Sequence, residues 1–177
     1  MSQTEIPATM RAVVTHGHGG IDQLEYHEHW PTPIAAAGEV LIEVGACGLN
    51  NTDINTRIGW YSADLTGGRS TNGNEEKEAS TWSGAPMNFP LIQGGDCCGH
   101  IVAVGHNVRP SRIGERVIVR NVLKSPVDYR PWECVVFGSE VDGAFAQYAV
   151  APSNETDNVA LSLIHISEPT RLGMISY

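Results

Sequence analysis

The most constraining feature of this sequence is the distribution of its nineteen glycines. They are spread along the 177 residues and separate short apolar runs, so they do not form a single linker. Glycine permits the tight turns that short strands need, and it weakens long helices. The sequence therefore predicts a mainly β (α+β) domain, folded as a partly open barrel of many short strands with one or two short helices.

Alternating and apolar stretches give the positions of the expected strands. They lie near residues 11–15, 23–29, 39–50, 100–105, 113–119, 134–138 and 144–150. In the third of these, Val40, Ile42 and Val44 share one face, and Leu41 and Glu43 share the other. Residues 30–37 contain two prolines and are predicted to be irregular, because proline cannot donate a backbone hydrogen bond.

One helix start is convincing in the first half of the chain. Residues 50–53 read Asn-Asn-Thr-Asp, four side chains that commonly cap helices, and Ile54 and Ile58 follow at helical spacing. Gly59 keeps this helix short. Residues 62–88 then show no apolar period, and a loop of that length inside a compact domain is usually functional or disordered. We expect it to lie near a cleft mouth.

Charge and hydropathy exclude several classes of protein. Eleven Lys+Arg against twenty Asp+Glu give a net charge of -9, which argues against nucleic-acid binding. A run of about 18 apolar residues is missing, so no membrane-spanning helix is predicted. The polar start lacks a signal-peptide core, and cytoplasmic location is the expectation. The cysteines at 47, 97, 98 and 134 are then expected to be free thiols.

Two histidine pairs raise the question of a metal site. His16/His18 and His27/His29 each have the i, i+2 spacing that places two imidazoles on one face of a strand. Exposed histidines of this kind are more often ordinary surface residues. We therefore predict no metal ligands among them, nor at His100 and His106.

Four ordered motifs carry the functional information. They are Ala-Cys-Gly-Leu-Asn-Asn-Thr-Asp at 46–53 with Arg-Ile-Gly-Trp-Tyr at 57–61, Phe-Pro-Leu-Ile-Gln-Gly-Gly-Asp-Cys-Cys-Gly-His-Ile-Val-Ala-Val-Gly at 89–105, Ile-Gly-Glu-Arg-Val at 113–117, and Asp-Gly-Ala-Phe-Ala-Gln-Tyr at 142–148. In this order and spacing they resemble the catalytic, GroES-like domain of the medium-chain dehydrogenase/reductase superfamily, over about residues 10–150. The resemblance implies a small-molecule substrate and, for the full-length enzyme, a homodimer or homotetramer.

The motifs also indicate which branch of that superfamily the chain is similar to. Zinc alcohol dehydrogenases carry a Cys ligand where this chain has Asn50 and a His ligand where it has Gly95, so catalytic zinc is not expected. The segments Gly48-Leu49-Asn50, 57–61 and Gly94-Gly95-Asp96 resemble the zinc-independent quinone oxidoreductases. That resemblance implies hydride transfer from NADPH to a quinone, enone or carbonyl substrate.

Without a metal, hydrogen-bond donors must stabilise the developing oxyanion. The resemblance places the catalytic donors at Asn50, Thr52 and Tyr61, the cofactor contacts at Asn50, Asn51 and Arg57, and pocket-forming or site-organising residues at Asp53, Trp60 and Asp96. Structural roles remain open for the same residues. Asn50 or Asn51 can simply cap the helix, Asp53 can be a favourable charge at the helix start, and Arg57 can form a structural ion pair.

The organisation of the chain follows from these interpretations. Residues 1–160 are expected to form the substrate-side domain. Residues 161–177 are expected to be a non-native tail, since they begin with eleven residues that resemble the translation of a sequencing adapter. The G-x-G-x-x-G fingerprint of a Rossmann cofactor domain is missing, so the chain as written is expected to be inactive. The alternatives are a zinc-type dehydrogenase with altered ligands, such as Cys97, Cys98 or His100, and a non-enzymatic GroES-like binding domain.

Overall fold

The computed structural model describes residues 5–60, 87–123 and 135–158. Tyr61, the predicted tail at 161–177 and all of the predicted loop 62–88 except residues 87 and 88 lie outside the described residues. Within the described ranges, short strands dominate and one α-helix is present. The mainly β prediction is confirmed. None of the described helices is long and apolar enough to cross a membrane.

The elements follow one another in a simple order. The strands are β1 (Thr9–Thr15), β2 (Leu24–Pro31), β3 (Glu39–Gly48), β4 (Leu91–Ile92), β5 (Asp96–Val104), β6 (Arg116–Val119), β7 (Val122–Leu123), β8 (Val135–Val136), β9 (Tyr148–Pro152) and β10 (Thr156–Asn158). The helix α1 (Asn51–Arg57) lies between β3 and β4, and short 3-10 turns lie at Ile21–Gln23, Pro110–Arg112 and Ser153–Glu155.

These strands form a curled, partly open barrel. The larger sheet has five strands in the order β10-β6-β5-β3-β9, and the smaller sheet has three in the order β2-β1-β4. The strands β7 and β8 form a separate pair, and a bridge between Ala12 and Ala146 links β1 to the segment before β9. Every strand pair in the two larger sheets is antiparallel.

The long strand β3 contributes to both halves of the core. Val40 and Ile42 are fully buried in one apolar cluster with Ile101 and Val117, whereas Leu41 is buried in a second cluster with Met10. The alternation predicted from the sequence is therefore present, and both faces of the strand are covered at this point. Gly99 permits the close approach of β5 to β3, because a Cβ at this position would lie 2.1 Å from the Glu43 carbonyl oxygen.

One part of the strand prediction is wrong. The segment 30–37 was expected to be irregular, yet Trp30 and Pro31 are the last residues of β2 and pair with Met10 and Thr9. The sheet order explains why proline is tolerated here. The strand β2 lies at the edge of its sheet, and an edge strand can end in a residue that does not donate to a neighbour.

Candidate functional site

The N-terminus of α1 forms the first part of the candidate site. Asn50 is the N-cap, and its Oδ1 accepts a hydrogen bond of 3.1 Å from the backbone N–H of Thr52. In return, the backbone N–H of Asn50 donates to Oδ2 of Asp53 at 2.9 Å. The Asn50 side chain also accepts from the Asp53 backbone, and the reciprocal bonds between these two residues form a capping box, which satisfies backbone donors that the helix itself leaves unpaired. Of the two predicted capping residues, Asn50 therefore holds the N-cap position.

Asp53 joins this helix to the glycine turn that precedes β5. Its Oδ1 accepts from the backbone N–H of Gly94 at 3.3 Å, across 41 residues of sequence. Burial raises the pKa of the Asp53 carboxyl above its usual range, although backbone N–H groups of Asn50, Gly94 and Gly95 act in the opposite direction. A partly buried carboxyl with bonds to two separate segments holds those segments in register.

Gln93 adds a second link at the same place and was missed by sequence reasoning. Its Nε2 donates to the Asp53 backbone oxygen at 2.9 Å, and its Oε1 accepts from the Thr15 hydroxyl at 3.0 Å. The side chain is 2% exposed. In the sequence, Gln93 is a single polar residue between an apolar run and two glycines, and this position was the signal that could have found it. A buried amide needs hydrogen-bond partners for both its oxygen and its nitrogen.

Asp96 lies at the first position of β5, opposite Gly48 of β3. Its Oδ2 is 3.4 Å from Nδ2 of Asn50, so the two predicted site residues contact each other through a long hydrogen bond. A surface hollow of about 370 Å³ lies beside them and is lined by Ala46, Cys47, Gly48, Asp96, Cys97, Cys98, Ile118 and Val119. The structure thus places Asn50, Asp53 and Asp96 together around the end of β3 and the start of β5.

Gly95 decides whether this site could carry the usual zinc ligand. A Cβ built at this position would lie 2.1 Å from Nδ2 of Asn121 and 3.3 Å from the Phe137 carbonyl oxygen. The preceding Gly94 has a φ of +102°, which is unfavourable for L-residues with side chains. The turn is therefore packed for glycine. Neither Asn50 nor Gly95 provides an imidazole or thiolate group.

Arg57 is buried at 8% exposure, and its side chain is directed toward the N-terminal turn. Its Nη1 donates to the Gly19 carbonyl oxygen at 2.5 Å, and the Gly19 N–H donates back to the Arg57 oxygen at 3.0 Å. His18 contacts the same Arg57 oxygen at 3.2 Å. These contacts with backbone groups of a turn give Arg57 a structural role, and the ion pair stays a prediction. The cofactor contact stays a prediction.

The remaining predicted residues are placed around α1. Thr52 is half-buried and Asn51 is exposed, and both lie in the first turn of the helix. Trp60 is 51% exposed just after its end. Ile54 and Ile58 are also about half exposed, at 51% and 48%. The apolar face of this helix is therefore turned outward.

The three described cysteines are free, as expected. Cys97 is buried in β5 opposite the exposed Cys47 of β3. Burial raises the pKa of the Cys97 thiol to about 12. Because the thiolate is the reactive form, this residue is chemically inert near neutral pH.

Comparison with known proteins identifies a family. Residues 36–160 match the alcohol dehydrogenase GroES-like domain. The chain is 31% identical over 153 residues to the human synaptic vesicle membrane protein VAT-1 homolog-like, covering 82% of this chain and 29% of that protein. It is 28% identical over 142 residues to human quinone oxidoreductase, covering 80% of this chain and 31% of that protein. The chain spans about a third or less of the length of these relatives.

Solved structures agree with this result. A structure described as an alcohol dehydrogenase from Sinorhizobium meliloti 1021 superposes with a TM-score of 0.71 at 40% identity, covering 88% of this chain and 41% of that chain. A structure described as a zinc-binding dehydrogenase from the same organism, bound to NADP, shares the fold at 20% identity with a TM-score of 0.67, covering 89% of this chain and 40% of that chain.

Proposed function

The chain belongs to the alcohol dehydrogenase GroES-like domain family, within the medium-chain dehydrogenase/reductase superfamily, and from this premise we propose that it supplies the substrate-side wall of a nicotinamide-dependent reductase without catalytic zinc. The substrate class is a quinone, enone or other carbonyl compound, and the proposed hydride donor is NADPH. A homodimeric or homotetrameric enzyme and a cytoplasmic location remain predictions.

The observation that carries the proposal is the chemistry at the two positions where zinc relatives hold the metal. Asn50 uses its amide oxygen to cap α1, and Gly95 has no side chain that could bind a metal. Catalytic zinc needs three protein ligands of nitrogen, sulfur or oxygen type and one open position. Two of these ligands are replaced by groups that serve the fold, which supports chemistry without a metal.

The same contacts prepare Asn50 to act as a donor. Its Oδ1 is occupied by the Thr52 N–H, and its Nδ2 group donates to Asp96, which lines the hollow. An amide nitrogen carries two hydrogens, and Asp96 can accept only one of them. We assign the second N–H to the substrate oxygen, with the half-buried Thr52 hydroxyl as the proton source beside it. Tyr61 is the third proposed donor.

A bound nicotinamide nucleotide supplies the hydride in this scheme. The chain's own residues fix the substrate oxygen and stabilise the negative charge that develops on it, because donors that are already oriented need no reorganisation when the charge forms. Asp53 keeps the donors in place by holding α1 against Gly94. The exposed amide of Asn51 fits a polar cofactor group, whereas Arg57 engages Gly19.

The test uses the natural gene product that contains residues 1–160, purified without an affinity tag. NADPH oxidation is followed with a simple quinone, with an α,β-unsaturated ketone and with a primary alcohol plus NADP as the reverse reaction. We expect quinone or enone reduction that survives removal of metal ions by a chelator and dialysis. The 177-residue chain alone is expected to show no turnover.

Each alternative gives a different result. A zinc-type dehydrogenase loses its activity on chelation and regains it with added Zn²⁺, and that outcome would contradict the proposal. A non-enzymatic binding domain shows no turnover and no saturable NADPH binding in the natural gene product, which would contradict it as well.

A further inference from the structure

Three metal-binding side chains meet on the β1–β2 hairpin, outside the candidate site described above. His16 Nε2 lies 3.1 Å from Glu25 Oε2, and His27 Nε2 lies 3.5 Å from the same oxygen. The two histidine nitrogens are themselves 3.5 Å apart. Among the residues that the structure describes, this is the group whose ligand atoms converge closely enough to hold one ion.

The hairpin register explains why these residues converge. Glu25 pairs with Val14 and His27 pairs with Ala12, so the two strands present positions 12, 14, 25 and 27 on one face. His16 is two residues beyond Val14 and therefore lies on that face too. Its backbone N–H donates to the Gln23 oxygen at 2.9 Å, which continues the strand pairing up to this residue.

The spacing of the three atoms fits a small tetrahedral ion. Zinc bonds to nitrogen and carboxylate oxygen are about 2.0–2.1 Å long, and tetrahedral geometry then separates two ligand atoms by about 3.3–3.4 Å. The observed separations of 3.1, 3.5 and 3.5 Å bracket this value. Octahedral geometry at a similar bond length would separate neighbouring ligand atoms by about 3.0 Å, which is shorter than two of the three observed distances.

The environment of the three side chains leaves the site accessible. They are 41%, 61% and 27% exposed for His16, Glu25 and His27, respectively. The ring of His27 is held by Trp30, with ring centroids 5.0 Å apart, so one ligand is partly oriented before an ion arrives. Two imidazoles and one carboxylate are ligands that zinc accepts with a fourth position left to water.

We propose that His16, Glu25 and His27 form a binding site for one divalent transition-metal ion, Zn²⁺ in the first instance, which cross-links the edge strand β2 to β1. This departs from the expectation that these histidines are only surface residues. The two histidine ligands face each other across the hairpin, as His16 and His27. They are not the neighbours along one strand, His16 with His18 or His27 with His29.

The experiment uses the tag-free 177-residue chain, stripped of metal by a chelator and dialysed. Zn²⁺ alone is titrated in by calorimetry, and ¹H–¹⁵N correlation spectra of the imidazole rings are recorded during the titration. We expect one saturable site, with zinc-induced shifts at the His16 and His27 ring nitrogens and a higher thermal midpoint in the presence of zinc. Co²⁺ in the same site should give the intense visible bands of tetrahedral coordination.

Variants then test the three ligands. His16→Ala, Glu25→Gln and His27→Ala should each weaken zinc binding at least about tenfold. The exposed His29, on the same strand, provides the matched control, and His29→Ala should bind as the unaltered chain does. Thermal midpoints of the metal-free variants report any loss of folding, and His27→Gln replaces His27→Ala if the latter does not fold.

Three results would overturn the proposal: no saturable binding, unchanged binding in all three ligand variants, or ring shifts at other histidines only. Zinc held by the hairpin does not bear on turnover in the reductase site. The zinc site is tested by binding, whereas the reductase proposal is tested by activity after chelation. Failure of one proposal is therefore distinguishable from failure of the other.

Discussion

Replacement of Asn50 separates its structural role from its proposed catalytic role. Asn50→Ala removes both the cap on the Thr52 N–H and the amide donor beside Asp96. Asn50→Ser removes the amide donor but keeps a side-chain oxygen that caps as well as asparagine does. The pair therefore differs in the cap alone, while both variants lack the amide N–H.

The contacts of Asn50 determine the expected losses of stability and of kcat. Loss of an N-cap costs about 1 kcal/mol, which lowers the thermal midpoint of the 177-residue chain by roughly 2–4 °C. The 3.4 Å bond to Asp96 is long and exposed, so it adds little to that figure. Removal of an oxyanion donor lowers kcat by about 10²–10³-fold. We expect this loss of kcat in both variants and the loss of stability only in Asn50→Ala.

The assay measures kcat and KM for quinone reduction in the proposed full-length enzyme, and it measures the thermal midpoint of each variant in the 177-residue chain. If Asn50→Ser keeps the unaltered kcat while Asn50→Ala loses both stability and activity, the amide is a cap and not a donor to the substrate. That result would refute the role proposed for Asn50.

Three further predictions follow from the same region. Gly95→Ala should lower the unfolding free energy by about 1–3 kcal/mol, and adding Asn121→Ala should restore part of it in a double-mutant cycle, because the new methyl group meets that amide. Cys97 should resist alkylation in the native chain at pH 8, while the exposed Cys47 is modified first, as judged by peptide mass mapping, because a thiol with a pKa of about 12 is roughly one part in ten thousand thiolate. Burial raises the folded-state pKa of Asp53 above 3.8, so the stability that this group contributes is greatest below pH 3.8 and declines as the pH rises through the raised pKa. Urea unfolding at a series of pH values should show this decline in the unaltered chain and its absence in Asp53→Asn. Equal pH profiles would contradict the assignment.

Local features of the fold were predictable from the sequence because their causes are local. The alternation of Val40 and Ile42 with Leu41 gave the two faces of β3, and the polar run at 50–53 gave the start of α1. The sequence predicts an irregular segment from Trp30 onward, whereas β2 continues to Pro31, because a rule about proline cannot say which strand will lie at an edge. Edge position depends on the order of strands, which the sequence pattern does not contain.

In the candidate site, too, local contacts could be predicted from the sequence and long-range contacts could not. Capping by Asn50 acts over two residues and could be anticipated, whereas the bond from Asp53 to Gly94 spans 41 residues and the bond from Thr15 to Gln93 spans 78. Long-range polar contacts depend on how separate segments are brought together. The family resemblance supplied which motifs meet, but not that Gln93 joins them.

The polar contacts of this site also limit how its variants can be interpreted. Asp53 and Gln93 hold the first turn of α1 to the glycine turn and to β1, so a change at either residue moves the proposed donors as well as removing its own bonds. Loss of activity in such a variant would therefore not identify a catalytic residue. Only a replacement that keeps the structural bond and removes the donor separates the two effects. Within this network Asn50 allows that separation, since serine can replace its acceptor without replacing its amide.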